Sequence, residues 1–169
     1  MVSNSRRIAL GSLFGVSILA IIGPFPSPTS DYLIGFQAFF LALSFLVVGR
    51  GGATYVGIVS GILITLVKIS FFPLDLVFAI AFGVMTDALC LALRAKEGSS
   101  ARTGRLVAAM TIGTTVVGFI AYYVAVVLTG ILPNEVGLDA SVLVFGIISG
   151  AVAGLAAARI WNRYLRSRF

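Results

Sequence analysis

The stretch "LDLVFAIAFGVMTDALCLALRAKEGSSARTGRLVAAMTIGTTVVGFIAYYVAVVLTGI", Leu74–Ile131, decides the fold. Two apolar runs, Leu74–Leu93 and Leu106–Ile131, flank a short polar passage from Arg94 to Arg105. Each run is near the roughly 20 apolar residues that cross a bilayer as a helix. No apolar/polar alternation of period two recurs in either, which favours helices over a barrel. The passage between them, "RAKEGSSARTGR", combines four basic residues with Gly and Ser breakers and is expected to be a solvated loop.

The same pattern extends in both directions. Further apolar runs cover Ile8–Gly23, Tyr32–Val48, Gly52–Phe72 and Leu138–Trp161, and the connections between them are short. The expected architecture is therefore all-α: a polytopic membrane protein, one domain over residues 1–169, built as a bundle of six transmembrane helices. Composition agrees. Of 169 residues, 59% are hydrophobic and only 11% charged, with a mean hydropathy of +1.10. Soluble domains carry about a quarter charged residues, so this chain has too little polar surface for a soluble enzyme or a DNA-binding domain.

Charge placement gives the expected orientation. Arg6, Arg7, Arg50, Arg94, Lys96, Arg102, Arg105, Arg159, Arg163, Arg166 and Arg168 are eleven of the 12 basic residues, and all fall on one side of the six runs. The positive-inside rule assigns that side, with both termini, to the cytoplasm of a cell membrane. Asp31, Asp75, Glu135, Asp139 and all five prolines fall on the other side, and Lys68 lies near it. The net charge of +6 thus reflects topology and not nucleic-acid binding. An alternative concerns the start: "SRRIALGSLFGVSILA" (Ser5–Ala20) has the paired arginines and short apolar run of a signal peptide. No clean small-x-small cleavage site follows, so retention as a first helix is expected.

The chain has no histidine and one cysteine, Cys90. That removes the commonest metal ligand and the usual general base, and no phosphate-binding Walker loop appears. No catalytic residue, metal site or cofactor is expected, and any energised process needs a partner.

Ionisable residues at membrane depth are costly and mark candidate sites. Lys68 and Asp75 bracket the turn between the third and fourth runs, seven residues apart. They read as a structural ion pair, or with Lys68 snorkelling to the outer headgroups, or as a cation and an anion lining an outward pocket for a small zwitterionic or polar ligand. Gln37, Tyr123, Asn134 and Glu135 fall on the same side and complete the candidate binding set. Each also has a plainer reading, as interfacial aromatic, loop or cap residue. Asp87 lies about 18 Å beyond Asp75 at 1.5 Å per residue. It reads as a structural hydrogen bond or a pair with Arg94 or Arg50, and alternatively as a proton-coupling or partner-docking group.

Small residues four apart let helices approach closely. Gly146, Gly150 and Gly154 form one such stripe, Gly57 and Gly61 a second, Gly11 and Gly15 a third. Each reads as helix packing or as a surface for another subunit, and the first helix is the better docking candidate. "GRGGATYVG" (Gly49–Gly57) lacks the spacing of a nucleotide loop and reads as a tight helix–helix turn.

The passage "LVVGRGGATYVGIVSGIL" (Leu46–Leu63), together with "FAIAFGVMTDAL" (Phe78–Leu89) and the glycine-rich final run with its basic tail, resembles the substrate-binding S components of energy-coupling factor (ECF) transporters. The likeness covers nearly the whole chain. It implies capture of a vitamin or related micronutrient at the outer side, with a transmembrane coupling protein and two ATPase subunits as partners. It also implies docking through small residues of the first helix, where Gly11 and Gly15 stand at the family's alanine spacing. The histidine-bearing start of the cobalt and nickel relatives is absent. A structural or accessory subunit of a larger membrane complex is the competing expectation, with the glycine stripes buried against partners.

Overall fold

The structure, a computed structural model, describes residues 4–25, 33–68, 73–124, 126 and 136–167, side chains at 4, 7 and 136–139 excepted. The described residues form six α-helices: α1 (Asn4–Ile22), α2 (Ile34–Val48), α3 (Gly52–Val67), α4 (Leu74–Ala92), α5 (Thr103–Val124) and α6 (Val136–Ile160). The last continues into a π-helical turn, Trp161–Leu165. α4, α5 and the segment Ala140–Leu165 are long and apolar enough to cross a membrane. The other three are shorter apolar helices, Ile8–Ile22, Ile34–Val48 and Gly52–Val67.

Contacts between glycines and their neighbours fix the helix directions. Gly11 and Gly15 of α1 lie against Tyr55 and Val59 of α3, so these two helices run parallel. Gly57 of α3 faces Ala79 and Gly83 of α4, and Gly83 faces Ala53, so that pair is antiparallel. Gly146, Gly150 and Gly154 of α6 meet Thr115, Met110 and Val107 of α5 in the reverse order. Odd helices thus run one way and even helices the other. All the described basic residues except Lys68 collect at one end, hereafter the basic end.

α2 is the central helix and packs on α1, α3, α4, α5 and α6. Its basic-end half, the unbroken run Leu41–Val47, is buried on every face. A helix that is apolar all round belongs inside a bundle, and "LALSFLVV" is such a segment. Toward the other end the same helix opens. Phe36 is 51% exposed, and Gln37, Phe39 and Phe40 are half-buried. Phe39 and Phe40 meet edge to face, and Phe14 of α1 lies beside Phe40.

The turn between α2 and α3 has the tight form expected of Gly49–Gly57. Gly49 at φ 95° and Gly51 at φ 81° both adopt the left-handed region that L side chains avoid. The passage after α4 departs from expectation in one respect. It is solvent-exposed at Arg94 and Glu97–Ser99, as a solvated loop should be, but it is ordered as a hairpin, with β1 (Lys96–Glu97) paired antiparallel to β2 (Ser100–Ala101) around Gly98. α4 feeds it through a Schellman end: the Ala95 amide donates to the Cys90 carbonyl at 2.8 Å and the Arg94 amide to Leu91 at 3.0 Å. Arg94 takes the left-handed position at φ 49°.

Candidate functional site

The basic end is organised by two charges that each complete a helix to which they do not belong. α3 starts without an acidic residue in its first turn and without a side-chain cap of its own. The first amides of any helix lack intrahelical partners, and here Asp87 of α4 supplies them. Its Oδ2 accepts from the Thr54 amide at 2.7 Å and from the Thr54 hydroxyl at 2.6 Å. Its Oδ1 accepts from the Ala53 amide at 3.3 Å. The carboxylate is 6% exposed and lies at the positive end of the α3 dipole. Gly83, one turn earlier on α4, makes this possible: a Cβ there would stand 2.6 Å from the Ala53 carbonyl oxygen. Among the readings expected for Asp87, the structural hydrogen bond is formed. Its partners are amides and a hydroxyl.

Lys96 does the converse for α2, which has no basic residue in its last turn. From the hairpin, its ammonium donates to the Leu46 carbonyl at 2.6 Å and lies 4.6 Å from the centre of the Trp161 ring. Trp161 is 2% exposed and its indole N–H donates to Ser99 O at 3.0 Å. Asn162 pairs with both backbone groups of Ala101, at 2.9 Å each way. Arg102 bridges to Glu97 across the hairpin, and Arg166 donates to the Ser99 hydroxyl at 3.1 Å. The hairpin thus joins the ends of α2 and α6. Lys96→Met is expected to lower stability by about 1–2 kcal/mol, through the lost carbonyl cap and ring contact. Thermal unfolding of the detergent-purified protein measures it, and an unchanged midpoint would contradict the latch.

Gln37, Lys68, Asp75 and Tyr123 all fall at the end opposite the basic one, on α2, at the close of α3, in the first turn of α4 and in the last turn of α5. Lys68 and Asp75 bracket the connection 69–72. Tyr123 is exposed and Gln37 half-buried. Asn134 and Glu135 lie outside the described residues. The structure brings four expected residues to one end without enclosing them in a described pocket.

The docking expectation for Gly11 and Gly15 needs correction. Both are buried, and a Cβ at Gly11 would come within 2.8 Å of the Tyr55 ring, one at Gly15 within 2.6 Å of Val59. Ser12 and Tyr55 also share a 2.8 Å hydrogen bond. Their closeness serves α1–α3 packing inside the chain, so this stripe is no outward surface. The other two stripes are likewise occupied, by α4 and α5.

Two cavities lie away from the Gln37–Asp75 end. One, of about 440 Å³, is at the basic end and is lined by Thr103, Arg159, Ile160, Asn162, Arg163 and Tyr164. The other is an apolar furrow along α4, lined by residues such as Val84, Met85 and Leu89. Among the described residues no three or more His, Cys, Asp or Glu side chains are grouped to hold a metal ion. Sequence reasoning missed Lys96, Trp161 and Asn162. The available signal was "KEGSSA", a glycine between short polar residues, which is hairpin-turn chemistry. No known protein family, curated protein or solved structure matches the chain.

Proposed function

We propose that the chain is the membrane-embedded substrate-binding subunit of an ECF-type transporter, taking a vitamin or related small polar micronutrient from the outer side. Partner ATPases and a transmembrane coupling protein supply the energy. In this reading all six helices span the membrane, the basic end and both termini face the cytoplasm, and the ligand enters from the opposite end.

The burial gradient along α2 carries the proposal. Leu41–Val47 are enclosed beside a latched basic end, whereas Phe36 and Gln37 are not. A central helix enclosed at one end and partly exposed at the other suits a ligand arriving at the exposed end. There Gln37, Lys68 and Asp75 offer a neutral hydrogen-bonding group and both signs of charge. Polar pocket groups left unpaired by a wrong ligand are penalised, which gives selectivity.

Ligand-dependent thermal stabilisation across a vitamin panel tests it. A binder stabilises by RT ln(1 + [L]/Kd), about 2.7 kcal/mol at a hundredfold excess over Kd. Lys68→Ala and Asp75→Ala are each expected to abolish that gain while leaving the bundle folded. Either variant binding normally would place the ligand elsewhere. Co-purification with ATPases supports the transporter reading. Stable integral partners without an ATPase, and no compound that shifts the midpoint, favour the second reading: an accessory subunit of a membrane complex.

A further inference from the structure

The cavity at the basic end is lined by basic and hydroxyl-bearing residues. Arg159, at the end of α6, and Arg163, one turn on, both line it, with Thr103, Ile160, Asn162 and Tyr164. Both arginines are exposed, and the Arg163 guanidinium lies 5.4 Å from the centre of the Tyr164 ring. Asn162 is held in place by its two bonds to Ala101. The cavity also abuts the start of α5, which has no acidic residue in its first turn. Leading amides there have no intrahelical acceptor, and the helix dipole adds positive potential. Two arginines beside hydroxyl-bearing residues and a helix start favour a phosphate oxyanion at this place.

What stands above the cavity indicates where the phosphate comes from. Val144, Ile148 and Val152 are exposed at 56%, 56% and 61%. At 100° per residue these three and Arg159 fall within an arc of about 80° on α6. An apolar track therefore runs down one face of a membrane-compatible helix and ends at an arginine-lined cavity. That is the outline of a phospholipid: acyl chains along the track, headgroup phosphate between the arginines. We propose that this cavity binds the phosphate of an anionic lipid in the leaflet at the basic end, with its acyl chains against Val144, Ile148 and Val152.

The test titrates the detergent-purified full chain with phosphatidylglycerol, phosphatidylcholine and inorganic phosphate, and reads bound lipid by native mass spectrometry. Phosphatidylglycerol is expected to bind about tenfold more tightly than phosphatidylcholine, because each nearby arginine favours an anionic headgroup. Inorganic phosphate, lacking the acyl chains, is expected to compete only weakly. Arg159→Gln with Arg163→Gln should bring the preference below about threefold, while Arg50→Gln, outside the cavity, should keep it. Thr103→Glu provides a second variant. A carboxylate at a helix start favours folding, yet it places a negative charge in the cavity and should abolish the preference. Equal retention of the two lipids, or a preference that survives both cavity variants, overturns the proposal. Inorganic phosphate displacing the lipid at matched concentration overturns it too, leaving a soluble phosphate compound as the ligand.

Discussion

Asp87→Ala is expected to destabilise the bundle by about 3 kcal/mol, among the largest losses from a polar substitution in this chain. Removing the carboxylate leaves the Thr54 amide and hydroxyl and the Ala53 amide facing a buried void. Burial prevents water from replacing the lost acceptor cheaply, and the positive end of the α3 dipole loses its counter-charge. Asp87→Asn should lose about half as much, since one oxygen remains to accept while the new NH2 confronts a donor. Thr54→Val should lose about 1 kcal/mol, because the amide bond to Oδ2 survives. Thermal or denaturant unfolding in detergent ranks the three. If Asp87→Ala unfolds with the parent, Asp87 is not what completes α3.

The second large effect comes from adding a single methyl group. Gly83→Ala puts a Cβ 2.6 Å from the Ala53 carbonyl oxygen and 3.0 Å from the Thr54 Cα. Gly150→Ala puts one 2.7 Å from the Met110 carbonyl and 2.8 Å from the Thr111 Cα. These obstacles are backbone and cannot rotate away, so the helices must separate, at a cost of about 2–3 kcal/mol in each case. In α5, Gly118→Ala meets nothing nearer than an Ile34 methyl at 3.7 Å. It should be neutral or stabilising by up to about 1 kcal/mol, from helix propensity. Three substitutions of the same chemistry thus have opposite expected signs. Gly83→Ala combined with Asp87→Ala should lose less than the sum, because both break one α3–α4 contact. Strict additivity would mean that the glycine does not serve the cap. A uniform small loss at all three glycines would show that close approach does not hold the helices.

Much of the fold could be read from composition and run length. Six helices appear where six apolar runs stand, with ends shifted by a few residues: α1 begins at Asn4 instead of Ile8, and α5 at Thr103 instead of Leu106. Helix starts recruit polar residues that an apolar-run criterion leaves out. The α2–α3 turn was legible because Gly49 and Gly51 stand where a left-handed backbone is needed. Less of the candidate sites was legible. The Arg94–Arg105 passage reads as a loop because its polarity is visible, while the partners that order it, Trp161 and Asn162, lie some 60 positions later.

The sequence by itself determined the apolar, helical character of this protein and the placing of its charges. Those follow from additive properties: how many apolar residues occur in a row, and on which side of each run the cations fall. Tertiary structure alone decided what the few polar groups do. Asp87 and Lys96 are each surrounded by apolar or loop sequence, and neither is near in sequence to the helix end it completes. α3 takes its acid from 33 positions away and α2 its cation from 50. The stripe at Gly11 and Gly15 was likewise ambiguous until α3 was seen to fill it. Small residues signal only that something approaches closely, and all-round apolarity removes the periodicity that would say from which side.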